Sequence, residues 1–287
     1  MNPITVLGAN GQVGRSLVEA ATARGIPVRA VTRDACDVTD PAALARVTEG
    51  ASLLVNCTAY TAVDKAESEA ELAFAVNATA PEQMARVCAA QGVPLVHIST
   101  DYVFDGSGDR PWREDDLTAP LGVYGRSKLA GETAVAEQLD RHVILRTSWV
   151  FSAYGANFVK TMRRLGATRP ELTVVDDQRG GPTAAADIAA AILTIAERLR
   201  DGSTAWGTYH FSGAPATTWC GFAKAILADV QSVTVRPIPT SAYPTPAQRP
   251  LNSVLDCTKI ERAFGIPQPD WRPALEAVLA RLKNEAA

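Results

Sequence analysis

The chain opens with Ile4-Thr5-Val6-Leu7-Gly8-Ala9-Asn10-Gly11-Gln12-Val13-Gly14, where a short apolar run leads into three glycines spaced GxxGxxG. Apolar residues then recur at helical spacing, which predicts a strand, a tight loop and a helix. In such a loop the first glycine permits a sharp turn, the second admits a pyrophosphate close to the backbone, and the third lets the helix pack on the strand. The helix amino terminus favours phosphate. The stretch predicts a dinucleotide site that includes Gly8, Asn10, Gly11, Gln12 and Val13.

Four more apolar runs follow in the first half of the chain and have the length of buried strands. They are Val28 to Thr32, Leu53 to Asn56, Leu95 to Ser99 and Val143 to Leu145. Helical patterns cover Glu69 to Gln91, Tyr124 to Gln138 and Ala186 to Arg200. This alternation predicts an α/β fold with a doubly wound, Rossmann-like parallel sheet and right-handed crossovers.

Beyond about Tyr154, proline and glycine become frequent, as in Gly180-Gly181-Pro182. We expect a smaller carboxyl-terminal substrate-binding portion, built of loops and short helices, at the ligand edge of the sheet. The predicted division is a dinucleotide-binding domain over residues 1–153 and a mainly substrate-binding portion over residues 154–287. The second portion should pack on the first and exchange segments with it.

The overall composition is that of an ordinary globular protein, with 47% hydrophobic and 21% charged residues among 287. Lys and Arg total 28 against 31 Asp and Glu, so no basic excess favours nucleic acid. No apolar run approaches the ~18 residues of a membrane helix, and the start lacks the basic region of a signal peptide. These features predict a cytoplasmic protein with no membrane contact. The five cysteines are widely spread without metal-ligand spacing, which predicts buried thiols and no metal site.

The end of the second predicted strand bears on the choice of cofactor. An acidic residue there usually binds the ribose hydroxyls of NAD, whereas a basic residue accommodates the 2′-phosphate of NADP. Here the strand ends in Arg33 followed by Asp34, so Arg33 favours NADPH while NADH stays possible. Asp37 and Val38 follow closely and are placed beside the adenine. The alternative for Asp37 is a turn that precedes a helix.

Candidate catalytic residues follow the fourth predicted strand and begin a later helix. Thr100 lies just past the strand, where residues of a doubly wound sheet face the ligand crevice. Tyr124 and Lys128 are four residues apart and so share one helix face. A tyrosine has a pKa of about 10, so a tyrosinate near neutrality needs about 3 units, or roughly 4 kcal/mol, of stabilisation. Lys128 and the oxidised nicotinamide ring could supply it.

These residues resemble the extended short-chain dehydrogenase/reductase superfamily and, within it, the dTDP-4-dehydrorhamnose reductase family. The similarity extends over nearly the whole chain. The stretches that carry it, besides the glycine loop and the Tyr124/Lys128 pair, are Asn56 to Glu67, Ser99 to Gly106, Arg146 to Val150, Asn157 to Val159, Asp177 to Thr183 and Arg249 to Ser253.

The resemblance implies NADPH-dependent reduction of the C4 keto group of dTDP-4-dehydro-6-deoxy-L-mannose to dTDP-L-rhamnose. Tyr124 would donate the proton, Lys128 would hold the nicotinamide ribose, and Thr100 would polarise the carbonyl oxygen. Thr100 and Asp101 would contact the sugar, and Trp149 would pack against its ring. The segment that would lie along the cofactor consists of Ala59, Tyr60 and Thr61.

One departure from the family concerns assembly. Some members form dimers through magnesium held by glutamates, but the corresponding stretches here, Gly14 to Leu17 and Pro182 to Asp187, lack those glutamates. We therefore expect a monomer or a homodimer without a bridging metal.

Other activities stay open at this point. One is a non-catalytic nucleotide-binding subunit like the regulatory beta subunit of methionine adenosyltransferase. Another is a different sugar-nucleotide ketoreductase or an epimerase. A 4,6-dehydratase is disfavoured because Tyr102 stands where a second carboxylate would be expected.

Overall fold

The computed structural model of the chain describes residues 2–286 and contains thirteen strands within that range. The strands are β1 (Ile4–Leu7), β2 (Val28–Val31), β3 (Leu53–Asn56), β4 (Leu95–Thr100), β5 (His142–Thr147), β6 (Val150–Phe151), β7 (Glu171–Val175), β8 (Arg179–Gly180), β9 (Thr183–Ala184), β10 (Gly207–His210), β11 (Thr217–Thr218), β12 (Thr234–Ile238) and β13 (Asn252–Ser253). Six of them form one parallel sheet in the order β10-β5-β4-β3-β1-β2. The predicted parallel α/β sheet is confirmed.

Eleven α-helices lie within the described residues. They are α1 (Gln12–Ala23), α2 (Pro41–Thr48), α3 (Val63–Ala66), α4 (Ala70–Phe74), α5 (Ala80–Gln91), α6 (Val123–Gln138), α7 (Phe158–Gly166), α8 (Ala185–Arg200), α9 (Trp219–Ile226), α10 (Thr258–Phe264) and α11 (Trp271–Ala286). A π-helical segment, Ala75–Thr79, separates α4 from α5, so the predicted helix over 69–91 runs through with one wider turn.

The order of the sheet places a crevice beside β1. From β1 the chain first moves outward to β2 and then returns to the other side to form β3. The connections after β1 and β3 therefore leave in opposite directions, and the gap between them at the carboxyl ends is where such sheets bind ligands. The glycine loop after β1 and the segment that begins at Cys57 border this gap.

Helices cover both faces of the sheet, which explains why its strands are apolar throughout. Val6 and Val55 face the core shared with α1 and α8, whereas Leu7 and Leu54 face the core shared with α2 and α5. All four side chains are fully buried. At about 25 cal/mol per Å² of apolar surface, burial of each such side chain contributes roughly 1.5–3 kcal/mol toward folding.

Residues beyond 153 contribute to both parts of the molecule. Strand β10 pairs with β5 as the outermost strand of the sheet, and α8 packs against α1. A separate core lies among α7, α9, α11, β7 and β12. Helix α8 confirms the helical pattern predicted over Ala186 to Arg200, but the expectation of only loops and short helices elsewhere in this portion was wrong, since α11 has 16 residues and eight strands lie there or just before it. Five of those strands have only two residues, too few to show any periodicity.

The glycine loop is shaped by two glycines. Gly8 has φ of +76°, a left-handed conformation that glycine adopts without steric cost. At Gly14 a Cβ would lie 2.3 Å from the Gly8 carbonyl oxygen, so only glycine lets α1 start this close to β1. The amino terminus of α1 has no side-chain cap, which leaves its first N–H groups available to a ligand.

Candidate active site

A cleft of about 640 Å³ lies at the carboxyl ends of β1, β3, β4 and β5. It extends from the amino terminus of α1 to the beginning of α6 and on to the separate core among α7, α9, α11, β7 and β12. Ten of the residues predicted from the sequence come together on its walls. They are Gly11, Gln12, Val13, Ala59, Thr61, Thr100, Asp101, Tyr124, Lys128 and Trp149.

The other predicted residues lie outside the lining of this cleft: Gly8, Asn10, Arg33, Asp37, Val38 and Tyr60. Arg33 is exposed just beyond the end of β2. The Asp37 carboxylate accepts hydrogen bonds from the N–H and the hydroxyl of Thr39, at 3.0 and 2.8 Å. This is the geometry of the turn before a helix that was the alternative prediction for Asp37. The Tyr60 phenol donates to Glu69. Contact of these residues with a cofactor stays a prediction.

Helix α6 carries Tyr124 and Lys128 and is fixed at its first turn from outside. The Glu67 carboxylate accepts a hydrogen bond of 2.8 Å from the Val123 N–H, which satisfies one of the free donors of the helix terminus. The Asn77 amide donates to the Ser127 hydroxyl at 3.0 Å and accepts from the Tyr60 N–H at 2.8 Å. These contacts tie the beginning of α6 to the π-helical segment and to the loop after β3.

Tyr124 and Thr100 both line the cleft, with their side chains within hydrogen-bond reach of each other. Burial raises the pKa of the Tyr124 phenol to about 12, while its hydrogen bond with Thr100 acts in the opposite direction. The phenol is therefore protonated at neutral pH. A protonated phenol beside a threonine hydroxyl can donate a proton to a substrate oxygen held between them.

Lys128 is almost completely buried, with 2% of its surface exposed. Its Nζ donates a hydrogen bond of 2.7 Å to the Ile98 carbonyl oxygen and lies 3.4 Å from Nε2 of His97. Burial lowers the pKa of Lys128 to about 8, although the Glu132 carboxylate acts in the opposite direction. At pH 7 this lysine is therefore still mainly an ammonium, but its midpoint lies much closer to neutrality than that of an ordinary surface lysine.

Two buried polar atoms in the cleft find no hydrogen-bond partner among residues 2–286: Oδ2 of Asp101 and Oγ1 of Thr147. Asp101 and Thr147 are 2% and 4% exposed, so water reaches them poorly. A buried polar atom without a partner costs about 1–3 kcal/mol. The cleft therefore offers an acceptor and a hydroxyl to a ligand that carries polar groups of its own.

The burial of the Asp101 carboxylate has a testable effect on stability. Burial raises the pKa of Asp101 to about 6, whereas hydrogen bonds from Ser253 and Thr100 lower it. Because this folded-state value lies above the unfolded value near 4, the stabilising contribution is present below pH 4 and is lost as the pH rises through 6. Asp101→Asn should therefore raise the free energy of unfolding at pH 7 by about 1–3 kcal/mol. Urea titrations at pH 7 and pH 4 check this, since equal stabilisation at both values would contradict it.

Trp149 follows β5 and points into the cleft from an unusual backbone conformation. Its φ is +48°, which for a bulky residue costs on the order of 1–2 kcal/mol and typically occurs at functional sites. The indole stacks on Trp219 with ring centroids 3.6 Å apart and an interplanar angle of 10°. Gly180 lies under the indole, where a Cβ would come within 2.5 Å of the ring. The two tryptophans form a rigid apolar wall.

Sequence reasoning missed several residues that shape the site. Trp219 was not predicted, because its position beside Trp149 depends on the packing of α9. Glu132 lies one helical turn beyond Lys128 and accepts two hydrogen bonds from Arg146, at 3.0 and 2.6 Å. The signal for this buried pair was Arg146 itself, a charged residue in an otherwise buried strand.

None of the helices described between residues 2 and 286 has the length and apolar character needed to cross a membrane.

Comparisons with known proteins agree on one family. The family described as RmlD substrate binding domain matches residues 1–284. The dTDP-4-dehydrorhamnose reductase of Sinorhizobium fredii is 46% identical over 98% of each chain. A crystal structure of a dTDP-4-dehydrorhamnose reductase from Clostridium acetobutylicum has a TM-score of 0.92 at 35% identity and covers 98% of this chain and 99% of its own. The Bacillus anthracis dTDP-4-dehydrorhamnose reductase in complex with NADP has a TM-score of 0.91 at 36% identity with the same coverage.

Proposed function

Because the chain belongs to the RmlD substrate binding domain family, we propose that it reduces the C4 keto group of dTDP-4-dehydro-6-deoxy-L-mannose with NADPH, which gives dTDP-L-rhamnose. At the coarser level, the chain is an NAD(P)H-dependent oxidoreductase of sugar nucleotides. The observation that carries the proposal is the meeting of Thr100, Tyr124 and Lys128 in one cleft with the glycine loop.

The cleft fits a dinucleotide cofactor. The close approach of α1 to β1, which depends on Gly14, leaves the uncapped amino terminus of that helix beside Gly11 and Gln12 on the cleft wall. Backbone N–H groups and the helix dipole suit a pyrophosphate there. When NADPH is bound, its nicotinamide supplies the hydride for the carbonyl carbon.

The chain's own residues supply the proton and orient the substrate. On substrate binding, Thr100 would turn its hydroxyl hydrogen from Oδ1 of Asp101, which accepts it at 3.0 Å, to the carbonyl oxygen, which polarises the bond and aligns it with the Tyr124 phenol. Tyr124 holds its proton at neutral pH and would pass it to that oxygen as negative charge develops there. Lys128 would bind the nicotinamide ribose, and in its ammonium form, the major one at pH 7, it would stabilise the phenolate that remains.

The substrate would extend from the cleft into a neighbouring groove. This groove, about 450 Å³ in volume, shares Phe158 and Trp219 with the cleft. Its far wall includes Tyr243 and Arg249, an aromatic ring and a guanidinium suited to a nucleobase and a diphosphate. The unpaired Asp101 would accept a hydrogen bond from a sugar hydroxyl, while the wall formed by Trp149 packs on the apolar face of the deoxysugar.

We propose that Thr100, Tyr124 and Lys128 are catalytic. The residues proposed to bind the substrate are Thr100, Asp101 and Trp149. Those proposed to bind the cofactor are Gly8, Asn10, Gly11, Gln12, Val13, Arg33, Asp37, Val38, Ala59, Tyr60, Thr61, Tyr124 and Lys128. We further propose that residues 1–153 form the dinucleotide-binding domain and residues 154–287 the mainly substrate-binding portion. The protein is proposed to be a monomer or a homodimer without a bridging metal. Sheet strand β10 comes from the second portion of that division.

A direct assay tests the proposed reaction. Purified protein, NADPH and the dTDP-linked 4-keto sugar should consume reduced nicotinamide in equal amount to the product formed, followed by absorbance and by chromatography. The UDP-linked 4-keto sugar serves as the comparison substrate, since it differs at the base. Unchanged absorbance with every 4-keto sugar would favour the non-catalytic binding protein instead.

Cofactor choice has its own prediction. If the exposed Arg33 meets the 2′-phosphate, Arg33→Ala should weaken NADPH binding by about 10- to 150-fold, because a hydrogen bond to a charged group is worth about 1.5–3 kcal/mol. NADH, which lacks that phosphate, should lose little. Titration of both cofactors by quenching of protein fluorescence measures the two dissociation constants. Equal losses for NADPH and NADH would show that Arg33 does not read the phosphate.

A further inference from the structure

A chain of buried hydrogen bonds leads from β3 to Lys128. The N–H and the hydroxyl of Thr58 both donate to Oδ1 of Asn56, at 2.9 and 2.6 Å. Nδ2 of Asn56 lies 2.9 Å from Nδ1 of His97, and Nε2 of His97 lies 3.4 Å from Nζ of Lys128. Asn56 and His97 are both fully buried, so these contacts are not exchanged with water.

The donors and acceptors in this series of hydrogen bonds fix the tautomer of His97. The Thr58 backbone N–H can only donate, so the Asn56 atom that faces it must be the oxygen. The Asn56 amide nitrogen consequently faces His97 and donates to Nδ1, which must be unprotonated. Burial lowers the pKa of His97 well below its ordinary value, so the ring is neutral and carries its proton on Nε2.

The His97 Nε2–H group therefore points at Lys128. A lysine ammonium has three donors and no acceptor, so two donors would oppose each other at this contact. A neutral amine has a lone pair that can accept from Nε2–H while the same nitrogen donates to the Ile98 carbonyl oxygen at 2.7 Å. The contact is compatible with a hydrogen bond only when Lys128 is an amine.

We propose that His97 is a positioning residue for the reductase reaction: held by Asn56 as its Nε2–H tautomer, it orients the Lys128 side chain and stabilises the amine form. The proposal rests on the function proposed above, because it concerns the lysine that would bind the nicotinamide ribose. His97 itself lies behind Lys128, outside the cleft lining, and would act only through it.

Other ionisable groups near Lys128 do not supply the same contact. Burial raises the pKa of the Cys57 thiol to about 12, so it is neutral, and the Tyr124 phenol is neutral as well. The Glu132 carboxylate is engaged by Arg146 and Ser99 and favours the ammonium form. Among the groups that face Lys128 in residues 2–286, His97 provides the N–H that favours the amine.

The lysine titration can be measured without substrate or cofactor. The chain has six lysines, and Lys128 is the one that is buried, so NMR of protein labelled with ¹³C-lysine should resolve it, with Lys128→Met for assignment. We expect a midpoint near 8 in the wild type. His97→Gln keeps an N–H at the same place and should leave the midpoint within about 0.3 unit, whereas His97→Leu should raise it by about 1 unit. An unchanged midpoint in a folded His97→Leu protein would overturn the proposal.

A measurement on the wild type covers the case in which the variants do not fold. Nitrogen-15 NMR of the His97 ring should show the proton on Nε2, and a ring protonated on Nδ1 would also overturn the proposal. Activity separates the two claims. An inactive protein with the expected midpoints and tautomer contradicts only the proposed reaction, and an active enzyme whose Lys128 ignores His97 contradicts only this inference.

Discussion

The Tyr124→Phe variant is expected to bind NADPH as the wild type does and to turn over at least about 10²-fold more slowly. The phenol is partly buried, protonated at neutral pH and next to Thr100, so its removal takes away the proton donor that lies beside the Thr100 hydroxyl. The aromatic ring remains, including its edge-to-face contact with Tyr102 at 5.5 Å, so the shape of the cleft is kept. Steady-state and single-turnover rates with the 4-keto sugar nucleotide measure the loss.

A control for this variant is Tyr209→Phe, which removes the phenol of another buried tyrosine. Tyr209 lies on β10, outside the cleft lining, and its hydroxyl donates to the Ala205 carbonyl oxygen at 3.0 Å. We expect that variant to keep its turnover. Full activity of Tyr124→Phe would remove Tyr124 from the mechanism, and a loss confined to the Michaelis constant would make it a binding residue instead.

The first half of the fold could be predicted because its signals are local. Strands β1 and β3 have the predicted bounds, and β4 and β5 extend the predicted runs by a few residues. Buried parallel strands are continuous apolar runs, and the glycines after β1 mark where the helix must begin. Thr100 was predicted at the carboxyl edge of the sheet from its position just past the fourth strand, whereas Tyr124 and Lys128 were predicted only to share one face of a helix.

The parts that were missed depend on contacts between distant segments. Trp149 and Trp219 stack although 70 residues separate them, and neither sequence neighbourhood indicates the other. Asn56 and His97 meet because β3 and β4 are adjacent and place these two residues in register. Such a pair can be predicted only after the strand order is known, so the sequence alone does not place Asn56 beside His97.

Arg146 is a local sequence signal from which the buried ion pair with Glu132 could have been predicted. It stands in β5 between Leu145 and Thr147, and all six residues of that strand are buried. A buried guanidinium needs a carboxylate partner, and the candidates are few on a helix that packs over the strand. Glu132 continues the face of α6 that carries Tyr124 and Lys128, at the same spacing of four residues.

Replacing Glu132 by Leu is accordingly expected to be the most destabilising of the substitutions considered, at about 3–5 kcal/mol. Both side chains of the Glu132–Arg146 pair are about 5% exposed, so removal of the carboxylate leaves a buried charge without a partner. Ser99 would lose its acceptor as well. Urea unfolding gives the change in free energy, provided that the slope of the transition stays constant.

The double variant Glu132→Leu with Arg146→Met separates the lost charge pair from the lost volume. Replacing both partners by apolar side chains removes the stranded charge, so most of the lost stability should return. Glu82→Leu on α5 provides the exposed comparison, because Glu82 pairs with Arg86 at 2.6 Å on the surface and such pairs contribute less than about 1 kcal/mol. Equal destabilisation of the single and the double variant would mean that the packing around Glu132, rather than its charge, holds α6 on the sheet. In that case the alignment of Tyr124 and Lys128 would depend on side-chain shape, and the double variant should be as inactive as the single one.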